Sequence, residues 1–343
     1  MTKQPKKRVI MNILEILQRT DEEHRLSQAE IRKILEEEYG LAVDRKTIKR
    51  NLAELIDCGY PLECSEVTRA GQSGEEVLQS DWYLERTFTD AELRLLIDSL
   101  LFSKHIPHTQ CQELIKKVEG LGSPHFSKRV RHVRGLPEGG PQNPQLFWTV
   151  EVLDKAIGTG RRVRFQYHDY GTDKKLHPRR DENGAVRTYL VNPYQMVATN
   201  GRYYLIGNYD KYDNVAHYRL DRIKEIALVD SPAKPAERVK ELENGLELPT
   251  HMAEHVYMFG GESGQVTFRA SRCVVGDVLD WFGNGVRFSD ESETEVTVHL
   301  RVNYEAMKYW ALQYAPHVRV LSPQGLVDEV KKALLTAIEK YKD

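Results

Sequence analysis

Two histidines and a glutamate stand close enough in the sequence to suggest metal chemistry. The stretch HMAEH, residues 251–255, has the H-x-x-E-H pattern of one class of zinc peptidases. On a helix, His251 and His255 would share a face as zinc ligands, with Glu254 beside them as general base. A proline and a glycine pair enclose the stretch, leaving barely two helical turns, and no third ligand stands out. We interpret it as a histidine pair on a connecting helix, and zinc peptidase activity is a remote alternative.

The rest of the sequence carries no pattern of catalysis. It has no GxSxG, P-loop or GxGxxG motif, so we predict no catalytic residue, no cofactor, no metal site and no enzymatic activity. The cysteines are scattered without a CxxC pair, which indicates free thiols in a reducing compartment. No segment reaches membrane-spanning length, so we expect a cytoplasmic protein without a membrane partner.

A run of basic residues points to polyanion binding near the N-terminus. In DRKTIKRNLAELIDCG, apolar residues recur at i, i+4 and i+7 and form the buried side of a helix, so the basic residues flank that side. A recognition helix needs this arrangement, because its N-terminal residues enter the major groove and its flanks contact phosphates. The alternative is that these basic residues form only a solvent-exposed face of an ordinary small helical bundle. The candidate DNA-binding residues are Arg45, Lys46, Thr47, Lys49 and Arg50.

A second pattern combines tyrosine with arginine. In GRYYLIGN, residues 201–208, the residues alternate between the two faces of a strand. Tyr203 therefore shares a face with Leu205, and Tyr204 points to the opposite side. The question is what a strand does with a phenol on each face.

The elements around these residues indicate several domains. Residues 8–60 show three helical patterns, of which the second begins with a capping box, Ser27 and Glu30, and the third runs from the N-cap candidate Asp44 to Gly59. A hairpin signal and a further helical region follow, and a Pro/Gly-rich stretch at 135–145 marks a boundary. Short strands then predict a small barrel or sandwich. Residues 231–250 indicate a linker, and the last ninety or so residues alternate strands with helices.

Charge is distributed unevenly along the chain. The net charge is −2, but residues 225–300 carry 14 acidic and 6 basic residues. Contact with a polyanion therefore belongs to the first two-thirds of the chain.

Two stretches resemble a known family of bacterial regulators. VDRKTIKRNLAELIDCGYPLE resembles the winged helix-turn-helix of bacterial transcription regulators. NPYQMVATNGRYYLIGNYDKYDNVAHYRLDRI resembles the WYL domain, an SH3-like barrel found behind such domains. Tyr203, Tyr204 and Leu205 stand for the Trp-Tyr-Leu triplet that names the family, and YRLDRI matches its most specific run. The resemblance covers roughly the whole chain, because residues 256–343 look like the extension that commonly follows.

The resemblance implies a multidomain α+β architecture. Its parts are a winged helix-turn-helix (1–86), a helical connector (87–144), an SH3-like WYL barrel (145–230), a linker (231–255) and a C-terminal α/β sandwich extension (256–343).

The resemblance also implies a DNA-binding transcriptional regulator whose barrel senses an anionic effector, single-stranded nucleic acid or a nucleotide. Stacking on tyrosine and pairing of guanidinium with phosphate suit such a ligand. The expected partners are an operator in double-stranded DNA and a second copy of the chain, as a homodimer on a two-fold operator. The candidate effector-binding residues are Tyr167, Arg187, Tyr194, Tyr204, His217, Arg219 and Arg222.

Three positions depart from the family pattern. Tyr203 replaces the tryptophan, Ala216 stands where many members have an arginine, and Asn192 stands where a histidine is frequent. The last two changes remove a polar or cationic group from the groove. A purely structural or dimerising barrel without a small ligand is therefore the alternative.

Overall fold

The computed structural model describes residues 7–71, 74–126 and 143–342. These residues form a mixed α/β chain of two compact units. The first unit contains the described residues up to Ser103 and those from His108 to Phe126; the second contains Lys104–Pro107 and residues 143–342. No helix in the described ranges is long and apolar enough to cross a membrane. All four cysteines are free thiols.

Three helices open the first unit, and their ends follow the predicted capping residues. Ser27 Oγ accepts a hydrogen bond from Glu30 N, and the Glu30 carboxylate accepts one from Ser27 N, which confirms the capping box. Asp44 accepts a bond of 2.6 Å from Thr47 N and so begins the third helix. The apolar stripe of that helix packs into a shared core with Trp82. The helices are α1 (Lys7–Leu17), α2 (Gln28–Tyr39) and α3 (Arg45–Asp57).

A hairpin and two further helices follow in the described part of the first unit. Strands β1 (Leu62–Gly71) and β2 (Gly74–Leu84) pair antiparallel, which confirms the predicted hairpin; its turn residues lie outside the described ranges. Helices α4 (Asp90–Phe102) and α5 (His108–Glu119) follow. Most of the Pro/Gly-rich boundary predicted at 135–145 also lies outside the described residues.

The second unit begins with a helix and a six-stranded antiparallel sheet. In the sheet the order is β4-β3-β5-β6-β7, and β8 pairs with β3. Between β7 and β8 a short 3₁₀ turn, Leu220–Arg222, redirects the chain away from β7 and onto β3. No pairing closes β7 onto β8 in the described residues, so the predicted closed barrel is not confirmed. The elements are α6 (Leu146–Gly158), β3 (Arg161–Tyr170), β4 (Leu176–Pro178), β5 (Thr188–Thr199), β6 (Arg202–Tyr209), β7 (Val215–Arg219) and β8 (Ile223–Pro232).

Strand β6 lies between two apolar clusters, which answers the question of its two tyrosines. Tyr203 and Leu205 pack into the cluster that α6 covers. Tyr204 and Ile206 pack into a second cluster, on the opposite face. Part of this second cluster comes from the stretch expected as a linker and the residues just after it. Those contributors include Val239, Leu242 and Met258, all buried.

The C-terminal part alternates strands and helices as expected, with one additional short strand, β10. Its antiparallel sheet has the order β10-β11-β9-β12, and the helices enclose a core around the fully buried Trp310. A short helix, α7 (Leu248–Glu254), precedes it. The remaining elements are β9 (Ser263–Ser271), α8 (Val275–Phe282), β10 (Arg287–Ser289), β11 (Glu295–Asn303), α9 (Tyr304–Gln313), β12 (Val318–Ser322) and α10 (Gln324–Glu339).

The close approach of β5 and β6 leads to a test of the fold. A Cβ at Gly207 would lie 2.7 Å from the backbone oxygen of Asn192 and 3.0 Å from a methyl of Val191. Because the backbone cannot move aside cheaply, we expect Gly207→Ala to lower the free energy of unfolding by about 1–3 kcal/mol in urea titrations. Gly276→Ala on α8, where a Cβ would have no neighbour within 4 Å, is the control and should leave the protein unchanged or slightly more stable. Equal destabilisation by both substitutions would contradict this packing.

Candidate functional site

A buried carboxylate organises the arginines at the end of β7. Asp221 has 0% of its side chain exposed. Arg219 approaches it with two hydrogen bonds, Nε to Oδ1 at 3.0 Å and Nη2 to Oδ2 at 2.6 Å. Arg202, at the start of β6, brings Nη1 to 3.7 Å from the same carboxylate. The backbone N–H of Arg219 also donates to the hydroxyl of Tyr167 at 3.0 Å, which fixes where β7 ends.

A second carboxylate, Asp169 on β3, holds two further arginines. Arg222 Nη1 lies 3.1 Å from Asp169 Oδ1, and Arg179 Nε lies 2.7 Å from Oδ2. The hydrogen bond from Arg179, followed by the charges of Arg179 and Arg222, lowers the pKa of Asp169 despite its partial burial. Asp169 therefore carries its negative charge throughout the neutral range.

Two tyrosines flank these arginines. Tyr204 on β6 is the direct cross-strand partner of Arg219 on β7. The guanidinium of Arg222 lies 5.6 Å from the ring centre of Tyr170. Burial raises the pKa of both phenols, and the charges of Arg202, Arg219 and Arg222 act against this rise at each of them. The three arginines are thus close enough to act on both rings.

The resulting cluster has unused capacity for an anion. Four guanidinium groups face two carboxylates, which leaves two positive charges. Nη1 of Arg202 and Nε of Arg222 are buried and have no hydrogen-bond partner among the described residues. Because an unpaired buried donor is costly, these two N–H groups can be satisfied by an oxyanion that enters the cluster.

Helix α3 presents the second basic surface. Arg45, Lys46, Lys49 and Arg50 are all exposed, whereas Ile48 on the same helix is buried. Arg45 contacts the amide of Gln28 at 3.3 Å. Within the described ranges, none of the four basic side chains forms an ion pair. No carboxylate of the described residues therefore neutralises their charge by direct pairing.

Two family models match parts of the second unit. The WYL domain model matches residues 149–228, and the WCX domain model matches residues 262–338. The chain carries a WYL domain followed by a WCX domain. A search of curated proteins found no match.

Two solved structures resemble the chain as a whole. Proteasome accessory factor B/C of Arthrobacter aurescens is 14% identical with a TM-score of 0.30, and the match covers 100% of this chain and 51% of that one. This chain thus spans about half of that protein's length. A CRISPR Cas-related protein is 13% identical with a TM-score of 0.39, covering 97% of this chain and 83% of the other.

The candidate effector residues of the WYL domain lie in different places. Tyr204, Arg219 and Arg222 belong to the arginine cluster, and Tyr167 supports it from the buried core. Arg187 instead lies over the rings of Tyr189 and Tyr209, at 4.7 and 5.4 Å. The hydroxyl of Tyr194 donates to the carbonyl of Lys234 at 3.0 Å, and burial raises the pKa of this phenol to about 12. His217 belongs to a histidine cluster described below.

Sequence reasoning missed Arg202, Tyr170 and Arg179. A signal for Arg202 was present, because it stands two residues before Tyr204 on β6 and therefore shares its face. Tyr170 and Arg179 gave no comparable signal. Tyr170 lies near Arg222 because β3 pairs with β8, far along the chain, and Arg179 reaches Asp169 because β4 pairs with β3.

In the structure, a third histidine lies beside the two histidines of the HMAEH stretch. His217 Nε2 on β7 lies 2.8 Å from His251 Nε2 on α7, and the rings of His251 and His255 stack at 4.2 Å. His217 is therefore the third imidazole that the sequence did not reveal. Glu254 pairs with Arg301 at 2.9 Å. Among the described residues, these groups do not bring three ligand atoms within mutual reach of one metal ion.

A cleft of about 430 Å³ adjoins these histidines and has the opposite charge from the arginine cluster. Five glutamates line it, against one lysine and one arginine. Its acidity disfavours an anionic effector. Of the two places, the arginine cluster is the one whose charge suits an anion.

The histidine cluster predicts a pH dependence of stability. Burial, with repulsion from His255, lowers the pKa of His251 to about 4, and burial also lowers the pKa of His217 and His255. The unfolded chain therefore binds more protons than the folded one below about pH 6.5, so stability is lost as the pH falls. We expect the melting temperature to drop between pH 7 and pH 5, by the equivalent of about 1–3 kcal/mol.

The variant His251→Gln tests this origin. It should flatten the pH profile, whereas His317→Gln, at an exposed histidine, should leave the profile as it is. Identical profiles for the wild type and His251→Gln would show that the acid sensitivity arises elsewhere.

Proposed function

We propose that the chain is a DNA-binding transcriptional regulator whose WYL domain senses an anionic, aromatic effector. The arginine cluster is the observation that carries this proposal: it has two surplus positive charges, two buried N–H donors without partners in the described ranges, and tyrosines on either side. A nucleotide or single-stranded nucleic acid offers phosphate oxygens for the donors and a base for stacking.

In this proposal α1–α3 and the β1–β2 hairpin act as a winged helix-turn-helix. Helix α3 supports the assignment, because its basic side chains are exposed around a buried apolar stripe. Its N-terminal half would enter the major groove, and Arg45, Lys49 and Arg50 would contact phosphates or bases. A two-fold operator makes a homodimer the expected binding form.

A second candidate is a WYL domain with a structural role only. The observation favouring it is the bidentate pairing of Arg219, whose guanidinium donates two hydrogen bonds to Asp221 within the domain. The two candidate functions make different predictions for Arg202 and Arg222. An effector needs these two side chains, whereas a purely structural domain does not depend on them.

The first test concerns DNA. We expect the triple variant Arg45→Ala, Lys49→Ala, Arg50→Ala to lose retardation of operator DNA recovered from a genomic pull-down, with an unchanged circular dichroism spectrum. For the wild type, log K should fall steeply with log salt, by about 0.9 for each phosphate contact. The control, Lys116→Ala with Lys117→Ala on α5, removes exposed charge from another helix and should retain binding. Wild-type affinity of the triple variant would refute the role of α3.

The second test concerns the effector. We expect Arg202→Ala and Arg222→Ala each to weaken binding of a labelled mixed-sequence oligonucleotide or a nucleotide by at least about tenfold, ~1.4 kcal/mol, with little change in melting temperature. Arg219→Ala should instead lower stability by about 3–5 kcal/mol, because it leaves the Asp221 charge buried with one distant partner.

The control for the effector test is Arg187→Ala, which removes a guanidinium from a different group of tyrosines and should retain binding. If no oligonucleotide or nucleotide binds the intact protein at millimolar concentration, the domain has a structural role and the sensing proposal fails.

A further inference from the structure

Three potential metal ligands meet in the first unit, away from every residue discussed above. Asp21 and His24 lie in the turn between α1 and α2, and His125 lies beyond the end of α5. One ligand atom of each residue lies within 4.8 Å of the ligand atoms of the other two. Because His125 is about a hundred residues from His24 in sequence, no motif of short, fixed spacing predicts this group.

The geometry of the group is tight. His24 Nδ1 lies 2.7 Å from Asp21 Oδ1, and the rings of His24 and His125 stack at 3.5 Å with an interplanar angle of 3°. One nitrogen of each ring lies within 4.8 Å of the other and of a carboxylate oxygen of Asp21. A metal ion with ligands at about 2.0–2.2 Å can bind these atoms once the two rings rotate out of the parallel stack, so that both lone pairs point at the ion.

The surroundings of Asp21 hold its carboxylate in position. Ser123 Oγ donates to Oδ2 at 2.6 Å, while Oδ1 faces His24. The neighbouring Thr20 is tied to β2, since its hydroxyl accepts from Leu84 N at 3.1 Å. Such outer hydrogen bonds orient ligating carboxylates in known metal sites.

The ligand set selects a class of ion. Two imidazoles and one carboxylate suit a divalent transition-metal ion such as zinc, iron, nickel or copper, whereas magnesium and calcium prefer oxygen ligands throughout. His24 has 43% of its side chain exposed, which gives an ion access and leaves room for a water as fourth ligand.

We propose that Asp21, His24 and His125 form a binding site for a divalent transition-metal ion of the zinc class. The ion joins the segment after α5 to the turn after α1. It therefore fixes the helices of the connector to the helices that carry the basic surface of α3. This site is independent of the effector cluster, so either can exist without the other.

The test uses the full-length protein, purified without a histidine tag and stripped with a chelator. Zinc alone should bind one to one by calorimetry and raise the melting temperature. Cobalt(II) should give the visible absorption bands of a tetrahedral site containing nitrogen ligands. His24→Ala and His125→Ala should each weaken zinc binding by at least about tenfold, and Ser123→Ala by a smaller factor.

Two controls keep the proposal falsifiable. His108→Ala removes an exposed histidine from the same unit and should leave zinc affinity unchanged. Asp21→Asn keeps the size of the side chain but removes its charge, so a folded Asp21→Asn variant with weakened binding supports ligation by the carboxylate. Absence of stoichiometric zinc binding, or zinc binding that His24→Ala and His125→Ala leave intact, overturns the proposal.

Discussion

The buried charge of Asp221 is the constraint around which the WYL domain is arranged. A carboxylate without solvent is tolerated only when cations and hydrogen bonds compensate it, and here Arg219 supplies two bonds while Arg202 adds a more distant charge. This requirement fixes the end of β7, the 3₁₀ turn and the start of β6 relative to each other. A surplus of positive charge lies beside it, because Arg202 pairs only distantly with Asp221 and Arg222 pairs with Asp169, and each keeps a buried donor without a partner among the described residues.

The sequence predicted those parts of the structure that depend on neighbouring residues. The capping box of Ser27, the cap of Asp44 and the alternation of Tyr203 and Tyr204 follow from local backbone geometry, and all three are present. The partners of the arginines could not be predicted in the same way. Arg222 contacts Asp169, 53 positions away in the sequence, because β3 pairs with β8. Pairing between strands so far apart leaves no periodic pattern in the sequence that would predict this contact. The contact between His217 and His251 also joins residues that are distant in the sequence, so it could not be predicted either.

Two of the three departures from the family pattern, Asn192 and Ala216, have different structural settings. Asn192 is buried, and its amide nitrogen donates to Asn208 at 2.9 Å while its oxygen accepts from Lys234 N at 2.9 Å. It therefore ties β5 to β6 and to the chain after β8. Ala216 stands opposite Gly207, where the two strands come close. Neither residue contributes a charge to the arginine cluster, whose cations come from β6, from the chain just after β4, and from the end of β7 with the turn after it.

The packing of Val239, Leu242 and Met258 against β6 and β7 bears on how such chains can be recombined. These side chains complete the apolar face that Tyr204 and Ile206 begin, although they lie beyond the residues that the WYL family model matches. A gene fusion joining this WYL domain to a new C-terminal neighbour immediately after β8 would leave that face in water. The packed unit is therefore longer than the family match, and a junction that keeps this face covered lies after Met258, in the glycine pair before β9.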